Sequence, residues 1–284
     1  MTADTTGFKD AIRDQWTHAA AVWGRWHPKF SAMTGVVTSA LCDAATLEPG
    51  MRVLDLAGGT GEPSLSVAQR VAPGGSVTYS DFVPEMIAVA QENARQAGIS
   101  NIEFRHVDAE DIPFDDSSFD RVVSRFGIMF PPDVQKALAE IRRVLKPGAR
   151  AAFVVWQAVP NNKWFEEVNV PLARRGLLTP PPPGMPTPFR FGEPGSLPAE
   201  MRTAGFEDVR ETPHTLAWSW PGPVDEYLDF LTGTLPPVRK ALEGAGAERA
   251  ALETELRDII GQHADGDRIN FDACVFVVTG QKPR

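Results

Sequence analysis

A glycine-rich turn and an acidic residue beyond it form the part of this chain best suited to bind a ligand. The turn Ala57–Gly61 follows the apolar run Val53–Leu56, and Asp81 lies twenty residues after Gly61. Glycine removes the side chain where a loop must pass close to a ligand, and a helix start beyond it points free N–H groups at the same place. A carboxylate at the end of the next strand can accept hydrogen bonds from two ribose hydroxyls. These residues predict a site for a nucleoside ligand.

The glycine pattern alone does not decide between a dinucleotide and another nucleoside. In the dinucleotide fingerprint a third glycine packs the helix against the strand, and Ser64 stands at that position here. Glu62 would also face a pyrophosphate unfavourably. A ligand without phosphate therefore fits this turn better, and an NAD-dependent oxidoreductase is the weaker alternative.

Alternating apolar runs and amphipathic segments predict the elements that hold this turn in place. Apolar residues at spacings of three and four predict a helix over 8–26, and a second helix is predicted over 31–47. The strands and helices predicted after them alternate along the chain: strands over 52–56, 76–80, 102–107, 119–124 and 150–156, and helices over 63–71, 84–97 and 134–144. This order predicts a parallel, doubly wound α/β sheet with its ligand beyond the carboxyl ends of the strands.

The regular alternation ends after Trp156. Residues 160–195 are rich in proline, which predicts an irregular loop or lid rather than a helix. The remaining predicted elements are a helix over 196–204, a strand over 206–220, helices over 224–232 and 236–262, and a strand over 270–279. We therefore divide the chain into a helical cover (1–48), a ligand-binding core (49–159) and a remainder (160–284) with cap insertions at 160–195 and 221–266.

Composition and charge exclude several classes of function. The chain has 284 residues, 43% of them hydrophobic, and a net charge of −9. That charge argues against binding nucleic acid, whose affinity comes largely from phosphate neutralisation. There is no bilayer-spanning apolar run, no signal-peptide pattern and no CxxC pair, so we expect a cytoplasmic protein without stable membrane insertion. Because the histidines and cysteines have no ligand spacing, no metal site is expected.

Four segments together resemble the class I S-adenosylmethionine-dependent methyltransferases. The resemblance is closest to the branch with the ubiquinone/menaquinone-biosynthesis C-methyltransferases and related small-molecule enzymes. The segments are Val53–Gly61, Asp81 with Pro84–Met86, Val107–Phe114, and Phe119–Phe130 with Asp133 and Arg143–Gly148. The resemblance implies a Rossmann-like sheet of seven strands, the last of them antiparallel, with an N-terminal helical cover and an inserted cap.

The resemblance also implies S-adenosyl-L-methionine as the cofactor and assigns residues to it. Asp81 would accept hydrogen bonds from the ribose and Asp108 from the adenine amino group, and Met86 would pack against the adenine or ribose. The implied cofactor-binding residues are Asp55, Ala57, Gly58, Gly59, Gly61, Asp81, Phe82, Met86, Asp108, Ala109, Glu110 and Ser124. One departure is Gly58, where the family often has cysteine, and glycine would make the loop looser without removing a required polar group.

Methyl transfer to a small acceptor is the implied reaction. We expect an apolar or aromatic acceptor, such as a quinol, polyketide, terpenoid or other secondary metabolite, methylated at carbon or oxygen. His18 is the first candidate for a general base, because the helix that carries it folds over the cofactor in that family. The expected substrate-pocket residues are Trp16, Phe126, Met129, Trp156, Trp164, His214 and Tyr227. A cofactor-binding protein that transfers no methyl group, such as a lyase or cyclase, is the alternative. The sequence is compatible with a homodimer.

Overall fold

Strands and helices alternate from β1 to β5, and a group of helices separates the last strands. A computed structural model describes residues 5–284, with side chains from Gly7 onward. Its strands are β1 (Arg52–Leu56), β2 (Ser76–Asp81), β3 (Ile102–His106), β4 (Phe119–Arg125), β5 (Leu145–Trp156), β6 (Glu207–Pro221), β7 (Ala264–Asp265) and β8 (Arg268–Gln281). Its α-helices are α1 (Thr5–Ala44), α2 (Ser64–Val71), α3 (Pro84–Gln96), α4 (Val134–Val144), α5 (Lys163–Arg174), α6 (Ser196–Thr203), α7 (Val224–Thr234), α8 (Pro236–Gly244) and α9 (Arg249–Gly261).

The sheet has the order β3-β2-β1-β4-β5-β8-β6, and the short strand β7 pairs with β8 beside it. Strands β1 to β5 are parallel to their neighbours, whereas β8 runs antiparallel between β5 and β6. The predicted Rossmann-like α/β sheet with an antiparallel last strand is confirmed. The strand order reverses direction between β1 and β4, and in open α/β sheets ligands bind at the carboxyl ends of the strands at such a point.

Helices cover both sides of the central strands because their apolar residues recur every three or four positions. In α4 the buried face consists of Val134, Ala137, Leu138, Ile141 and Val144, each at most 4% exposed. Asp133 precedes this helix and its side chain accepts a hydrogen bond from the backbone N–H of Lys136, which caps a free donor of the first turn. The strand–loop–helix geometry after β4 is thereby fixed.

Helix α1 is one continuous helix of 40 residues, so the two helices predicted over 8–26 and 31–47 are wrong as separate elements. Pro28 lies inside α1. Proline removes one backbone hydrogen bond and normally ends a helix. Pro28 is exposed, while Trp26, His27 and Phe30 beside it are buried, so packing against the rest of the molecule carries the helix past the proline.

The proline-rich segment also contains a helix that composition did not predict. Residues 160–195 were expected to be irregular, yet Lys163–Arg174 forms α5, with Trp164, Val168 and Leu172 buried at spacings of four. The run Pro180–Pro183 lies after this helix, so the proline content of the whole segment did not indicate the helix at its start. The helix predicted over 236–262 is also divided, into α8 and α9. The division into cover, core and cap stays a prediction.

None of the helices in the described part of the chain is long and apolar enough to cross a membrane.

Candidate functional site

An open cleft lies at the carboxyl ends of β1, β2 and β4. Helix α1 contributes Lys9 and Ile12 to it, and the segment after β4 contributes Phe130. The other residues that line it are Leu56, Ala57, Phe82, Val107, Asp108, Ala109, Ser124, Gly127, Ile128, Pro131 and Pro132. Clefts at this position of an open α/β sheet typically hold a small-molecule ligand or cofactor. The predicted location of the site at the strand ends agrees with this cleft.

The loops after β1 and β4 touch each other at the floor of the cleft. A Cβ atom on Gly127 would lie 2.5 Å from Ser124 Oγ and 2.6 Å from the Cβ of Ala57, so only glycine fits there. Ala57 itself has a φ of +56°, a conformation that an L residue adopts at a cost. Ser124 is fully buried and its hydroxyl donates to the Leu56 carbonyl at 2.7 Å. The hydroxyl of Ser124 is therefore committed to joining the two loops, although the residue lines the cleft as predicted.

Gly58 is required by a neighbour on β2. A Cβ atom at Gly58 would lie 2.4 Å from Cε2 and 2.6 Å from Cδ2 of the Tyr79 ring. Tyr79 is fully buried and fills the space under the glycine turn. The expectation that Gly58 loosens the loop is therefore wrong, because the tyrosine ring occupies the volume that a side chain at residue 58 would take.

Asp81 ends β2 and holds the glycine turn with one carboxylate oxygen. Its Oδ2 accepts a hydrogen bond from the Gly59 N–H at 2.9 Å, and its Oδ1 accepts one from the Val83 N–H at 2.9 Å. Burial raises the pKa of Asp81 to about 6, against the effect of these backbone hydrogen bonds. Each oxygen retains a lone pair for a further donor. Asp81 can therefore orient the turn and still accept from a ligand hydroxyl.

Asp55 lies beneath the glycine turn rather than on the surface of the cleft. It is fully buried, its Oδ2 accepts from the Ser64 hydroxyl at 2.6 Å, and its Oδ1 has no partner among the described residues. Burial raises the pKa of Asp55 to about 7, which Ser64 and the Arg125 cation oppose. The predicted role of Asp55 beside the ligand is thus indirect, through the shape of the turn.

An ion-pair cluster closes the end of the cleft formed by β3. Lys9 Nζ lies 2.6 Å from Asp108 Oδ2 and 2.7 Å from Glu110 Oε2. The second oxygen of each carboxylate is used locally, since Asp108 Oδ1 accepts from the Glu110 N–H and Glu110 Oε1 accepts from the Asp133 N–H, both at 2.9 Å. The two acids predicted from the sequence are thus together, and α1 reaches them through Lys9.

The remaining predicted cofactor residues divide between the cleft and the core. Phe82 and Ala109 line the cleft, and the Phe82 ring stacks on His106 with centroids 5.9 Å apart. Met86 is 3% exposed and packs with Ala20 of α1. Met86 therefore supports the helical cover and is not among the described residues that line the cleft.

Aromatic rings form a continuous series of contacts beside the cleft. Phe130 meets Trp16 with ring centroids 5.4 Å apart, and Trp16 meets Trp23 at 6.2 Å. At the other end, Phe126 stacks on Trp156 at 4.1 Å with an interplanar angle of 4°. The rings that connect the two ends are Phe30 and Trp218. Phe126 and Phe130 both follow β4, so this series of rings begins and ends in one segment of the chain, of which Phe130 lines the cleft.

Four of the predicted substrate-pocket residues lie in the core or at the sheet edge. Met129 and Tyr227 are fully buried, and Tyr227 Oη accepts from Trp218 Nε1 at 3.0 Å. Trp164 is 6% exposed and stacks on Trp218. His214 lies on the edge strand β6, opposite Val275 of β8. None of the seven predicted substrate-pocket residues belongs to the described lining of the cleft, and the other three, Trp16, Phe126 and Trp156, lie in the series of rings beside it. Periodicity alone did not separate an aromatic core position from a pocket position.

His18 lies on the solvent side of α1. Ala19 and Ala20 turn inward and are buried, whereas His18 is exposed and its Nδ1 lies 2.6 Å from the Asp14 carbonyl. This placement contradicts the prediction that His18 acts as a base in the cleft.

The histidine that reaches the glycine turn is His27 of α1. Its Nδ1 lies 2.8 Å from Thr60 Oγ1, and burial together with the Arg125 cation lowers its pKa to about 4. Arg125 is also buried and donates to the hydroxyls of Thr34 and Thr38 on α1, at 2.7 and 2.8 Å. These contacts tie α1 to the glycine turn and to the end of β4. In the sequence, the polar residues at the inward positions of α1 were the signal that could have identified these contacts.

Comparison with known families agrees with this geometry. The model of the ubiE/COQ5 methyltransferase family matches residues 36–166, which include β1 to β5 and the cleft residues between them. Residues 36–166 therefore resemble the methyltransferase core of this family, over less than half of the chain. The predicted resemblance is confirmed. Residues 1–35, with Lys9 and Ile12, and the segment after residue 166 lie outside the match.

Individual relatives match this methyltransferase core over part of their length. The ubiquinone/menaquinone biosynthesis C-methyltransferase UbiE of Idiomarina loihiensis is 40% identical over 109 residues, covering 38% of this chain and 43% of the relative. The demethylmenaquinone methyltransferase of Listeria welshimeri is 39% identical over 108 residues, covering 38% of this chain and 46% of the relative. The chain thus spans about half the length of the curated relatives it matches.

Solved structures share the fold over nearly the whole chain. The [4+2]-cyclase SpnF has a TM-score of 0.54 at 18% identity and covers 94% of this chain and 97% of its own. Haemonchus contortus phosphoethanolamine N-methyltransferase 2, in complex with phosphomonomethylethanolamine and S-adenosylhomocysteine, has a TM-score of 0.55 at 18% identity, covering 94% and 58%. At these identities the likeness establishes the fold of the methyltransferase core and its surroundings.

Proposed function

We propose that this protein transfers a methyl group from S-adenosyl-L-methionine to a small apolar or aromatic acceptor. The observation that carries the proposal is the placing of two acids on neighbouring strand ends around one cleft. Asp81 is the last residue of β2 and binds the glycine turn, and Asp108 follows β3 and lines the cleft. A nucleoside whose ribose meets Asp81 and whose base amino group meets Asp108 fits this arrangement.

The cleft suits such a cofactor in its position and its lining. It lies at the carboxyl ends of the strands where the strand order reverses, and most of its lining is apolar. Gly127 lets the loops after β1 and β4 meet at the floor, because a Cβ there would collide with Ser124 and Ala57. Asp55, Ser124 and Asp81 would hold the loops around the methionine and ribose parts. When bound, S-adenosylmethionine supplies a methyl group already activated by a cationic sulfur.

The residues around the cleft align the acceptor and exclude water. Ile12, Phe130 and Pro131 give the cleft an apolar wall, which keeps water from the reacting atoms. Productive transfer needs the nucleophilic atom in line with the methyl group and about 3–3.5 Å from it. In the described lining the groups that could exchange a proton are Lys9 and Asp108, and they are ion-paired with each other. The acceptor therefore enters as a nucleophile that needs no protein base, such as a phenolate or an ionised quinol.

The aromatic residues beside the cleft favour a planar acceptor, methylated at carbon or oxygen. Phe130 lines the cleft and contacts Trp16, and the Phe126–Trp156 stack lies at the other end of the same series of rings. Flat rings pack well on such a surface. The names of the relatives from Idiomarina loihiensis and Listeria welshimeri point to quinones as methyl acceptors in those proteins. A quinol is therefore the first acceptor to test here, and a cytoplasmic homodimer acting on it stays a prediction.

The test measures binding and transfer separately. Titration calorimetry should detect binding of S-adenosylmethionine and no comparable binding of NAD or NADH. Methyl-labelled S-adenosylmethionine is then incubated with menadiol, 1-naphthol or a primary alkylamine, and the release of S-adenosylhomocysteine and labelled organic product is measured. Asp81→Ala should lose at least about tenfold in cofactor affinity, since a hydrogen bond to a charged group contributes about 1.5–3 kcal/mol.

The same measurements separate the alternative activities. Binding of NADH but not of S-adenosylmethionine would replace the proposal with the oxidoreductase. Tight binding of S-adenosylmethionine with no S-adenosylhomocysteine released from any aromatic acceptor would favour a non-methylating activity. The fold likeness to the cyclase SpnF keeps that second candidate in the test.

A further inference from the structure

Gly59 is held at both ends of its backbone by side chains of β2. Its N–H donates to Asp81 Oδ2 at 2.9 Å, and its carbonyl accepts from the Tyr79 hydroxyl at 2.6 Å. Gly59 has a φ of +54°, so the turn reverses at this residue. The two β2 residues are alternate members of one strand, and both therefore point to the same side of the sheet. The conformation of the turn at Gly59 is thus set by one donor, the Tyr79 hydroxyl, and by one acceptor, the Asp81 carboxylate.

Tyr79 occupies a space shaped for it. The residue is fully buried, and its ring lies where a Cβ on Gly58 would be, 2.4 Å from the nearest ring atom. The ring also packs on Phe104 of β3, with centroids 5.1 Å apart. A ring confined on two sides presents its hydroxyl in one direction, toward the Gly59 carbonyl. Gly58 and Tyr79 are therefore one unit, in which the absent side chain of the first makes room for the second.

We propose that Tyr79 is a positioning residue for the cofactor, acting through Gly59 and Asp81. The inference rests on the proposed function, because it concerns the same cleft. With the Gly59 carbonyl fixed by Tyr79, the N–H of the same residue stays aimed at Asp81 Oδ2. The carboxylate is then held with its remaining lone pairs free for the ribose hydroxyls. Tyr79 itself is not among the described residues that line the cleft.

Removing the hydroxyl should weaken cofactor binding without slowing the chemical step. In Tyr79→Phe the ring still fills the space under Gly58, but the Gly59 carbonyl loses its buried donor. The turn then samples conformations that do not bind, and the affinity falls in proportion to the fraction of molecules that remain in the binding conformation. We expect the Kd for S-adenosylhomocysteine and the KM for S-adenosylmethionine to rise about five- to tenfold, with kcat at saturation unchanged.

The matched control is Tyr227→Phe, which also removes one buried tyrosine hydroxyl. Tyr227 lies in α7 and its hydroxyl accepts from Trp218, remote from the glycine turn. Titration calorimetry with S-adenosylhomocysteine and thermal unfolding are measured for the wild type and both variants. Similar losses of melting temperature with a Kd change confined to Tyr79→Phe support the positioning role. An unchanged Kd in Tyr79→Phe, or an equal rise in Tyr227→Phe, would overturn it.

A second variant tests the same unit from the other side. Gly58→Ala leaves the Tyr79 hydroxyl intact but forces the ring away from the turn, so it should raise the Kd for S-adenosylhomocysteine as Tyr79→Phe does, and an unchanged Kd would count against the unit. A loss of kcat at saturation in Tyr79→Phe would refute a role confined to positioning. If the wild type binds no S-adenosylhomocysteine, the proposed function fails as well, and that result differs from a failure seen only in the variants.

Discussion

The protonation of Asp81 gives the sharpest prediction about the candidate site. Burial raises the pKa of Asp81 to about 6, so between pH 7 and pH 5 this carboxylate changes from mostly ionised to mostly protonated. A protonated carboxyl cannot accept from Gly59, Val83 and the ribose hydroxyls as the ionised form does. We therefore expect the affinity for S-adenosylhomocysteine to fall as the pH falls through 6.

The magnitude follows from the fraction of ionised carboxylate. At a pKa of about 6, roughly 90% of Asp81 is ionised at pH 7 and roughly 10% at pH 5, and the apparent Kd scales inversely with that fraction. The Kd should thus rise by about tenfold between the two pH values. The ligand keeps its charge over this range, because its amino group titrates near 7.7–8.0 and its carboxyl near 3.5.

Titration calorimetry at pH 5, 6 and 7 measures the effect, with Asp81→Asn as the matched control. The amide keeps the shape of the side chain but does not titrate, so the variant should bind more weakly at pH 7 and lose the step near pH 6. Asp55, with its pKa raised to about 7, titrates in both proteins and accounts for any slope they share. A wild-type Kd that is constant from pH 5 to 7, or an Asp81→Asn slope equal to the wild-type slope, would refute the reasoning.

Three further variants test the surroundings of the cleft. Lys9→Met removes the cation between Asp108 and its neighbouring acid, so S-adenosylhomocysteine affinity by calorimetry should change several-fold at low salt and much less at high salt. Gly127→Ala introduces a Cβ 2.5 Å from Ser124 Oγ and should abolish detectable binding, whereas Gly35→Ala, with nothing within 4 Å, should bind normally. The pKa of His27 is lowered to about 4 in the folded protein, so the unfolded chain binds more protons than the folded one between pH 6.5 and 4. The contribution of His27 to the free energy of unfolding therefore falls as the pH falls through this range. Chemical denaturation should therefore show His27→Gln losing less stability than the wild type between pH 6.5 and 4, by about 3 kcal/mol at most.

Local signals were enough to predict the central part of the fold. The glycine turn, the strand-end acid Asp81 and the proline–glycine stops each act within a few residues, and the alternation of short apolar runs with amphipathic segments gave the parallel sheet. The strand ends place Asp108 and Ser124 in the lining of one cleft and Asp81 against the glycine turn beside it. The roles of these residues toward a ligand stay predictions.

Contacts between distant parts of the chain could not be predicted in the same way. Lys9 pairs with Asp108 across 99 positions, and His27 meets Thr60 across 33. Nothing local to these residues marks their partners. The same limit explains His18, since the face of a helix that turns inward depends on what it packs against. Gly58 was misjudged because the ring that fills its space comes from a different strand.

The proline within α1 divides the contacts that hold this helix into two sets. Pro28 has no N–H, so the carbonyl one turn before it, at Gly24, receives no helical hydrogen bond there. The part of the helix that contributes Lys9 and Ile12 to the cleft lies on one side of this gap, and the part bound by Arg125 lies on the other. The first part therefore depends on contacts of its own, which are the ion pairs of Lys9 and the packing of Ala20 on Met86. Continuity of the helix backbone alone does not fix the cover over the cleft.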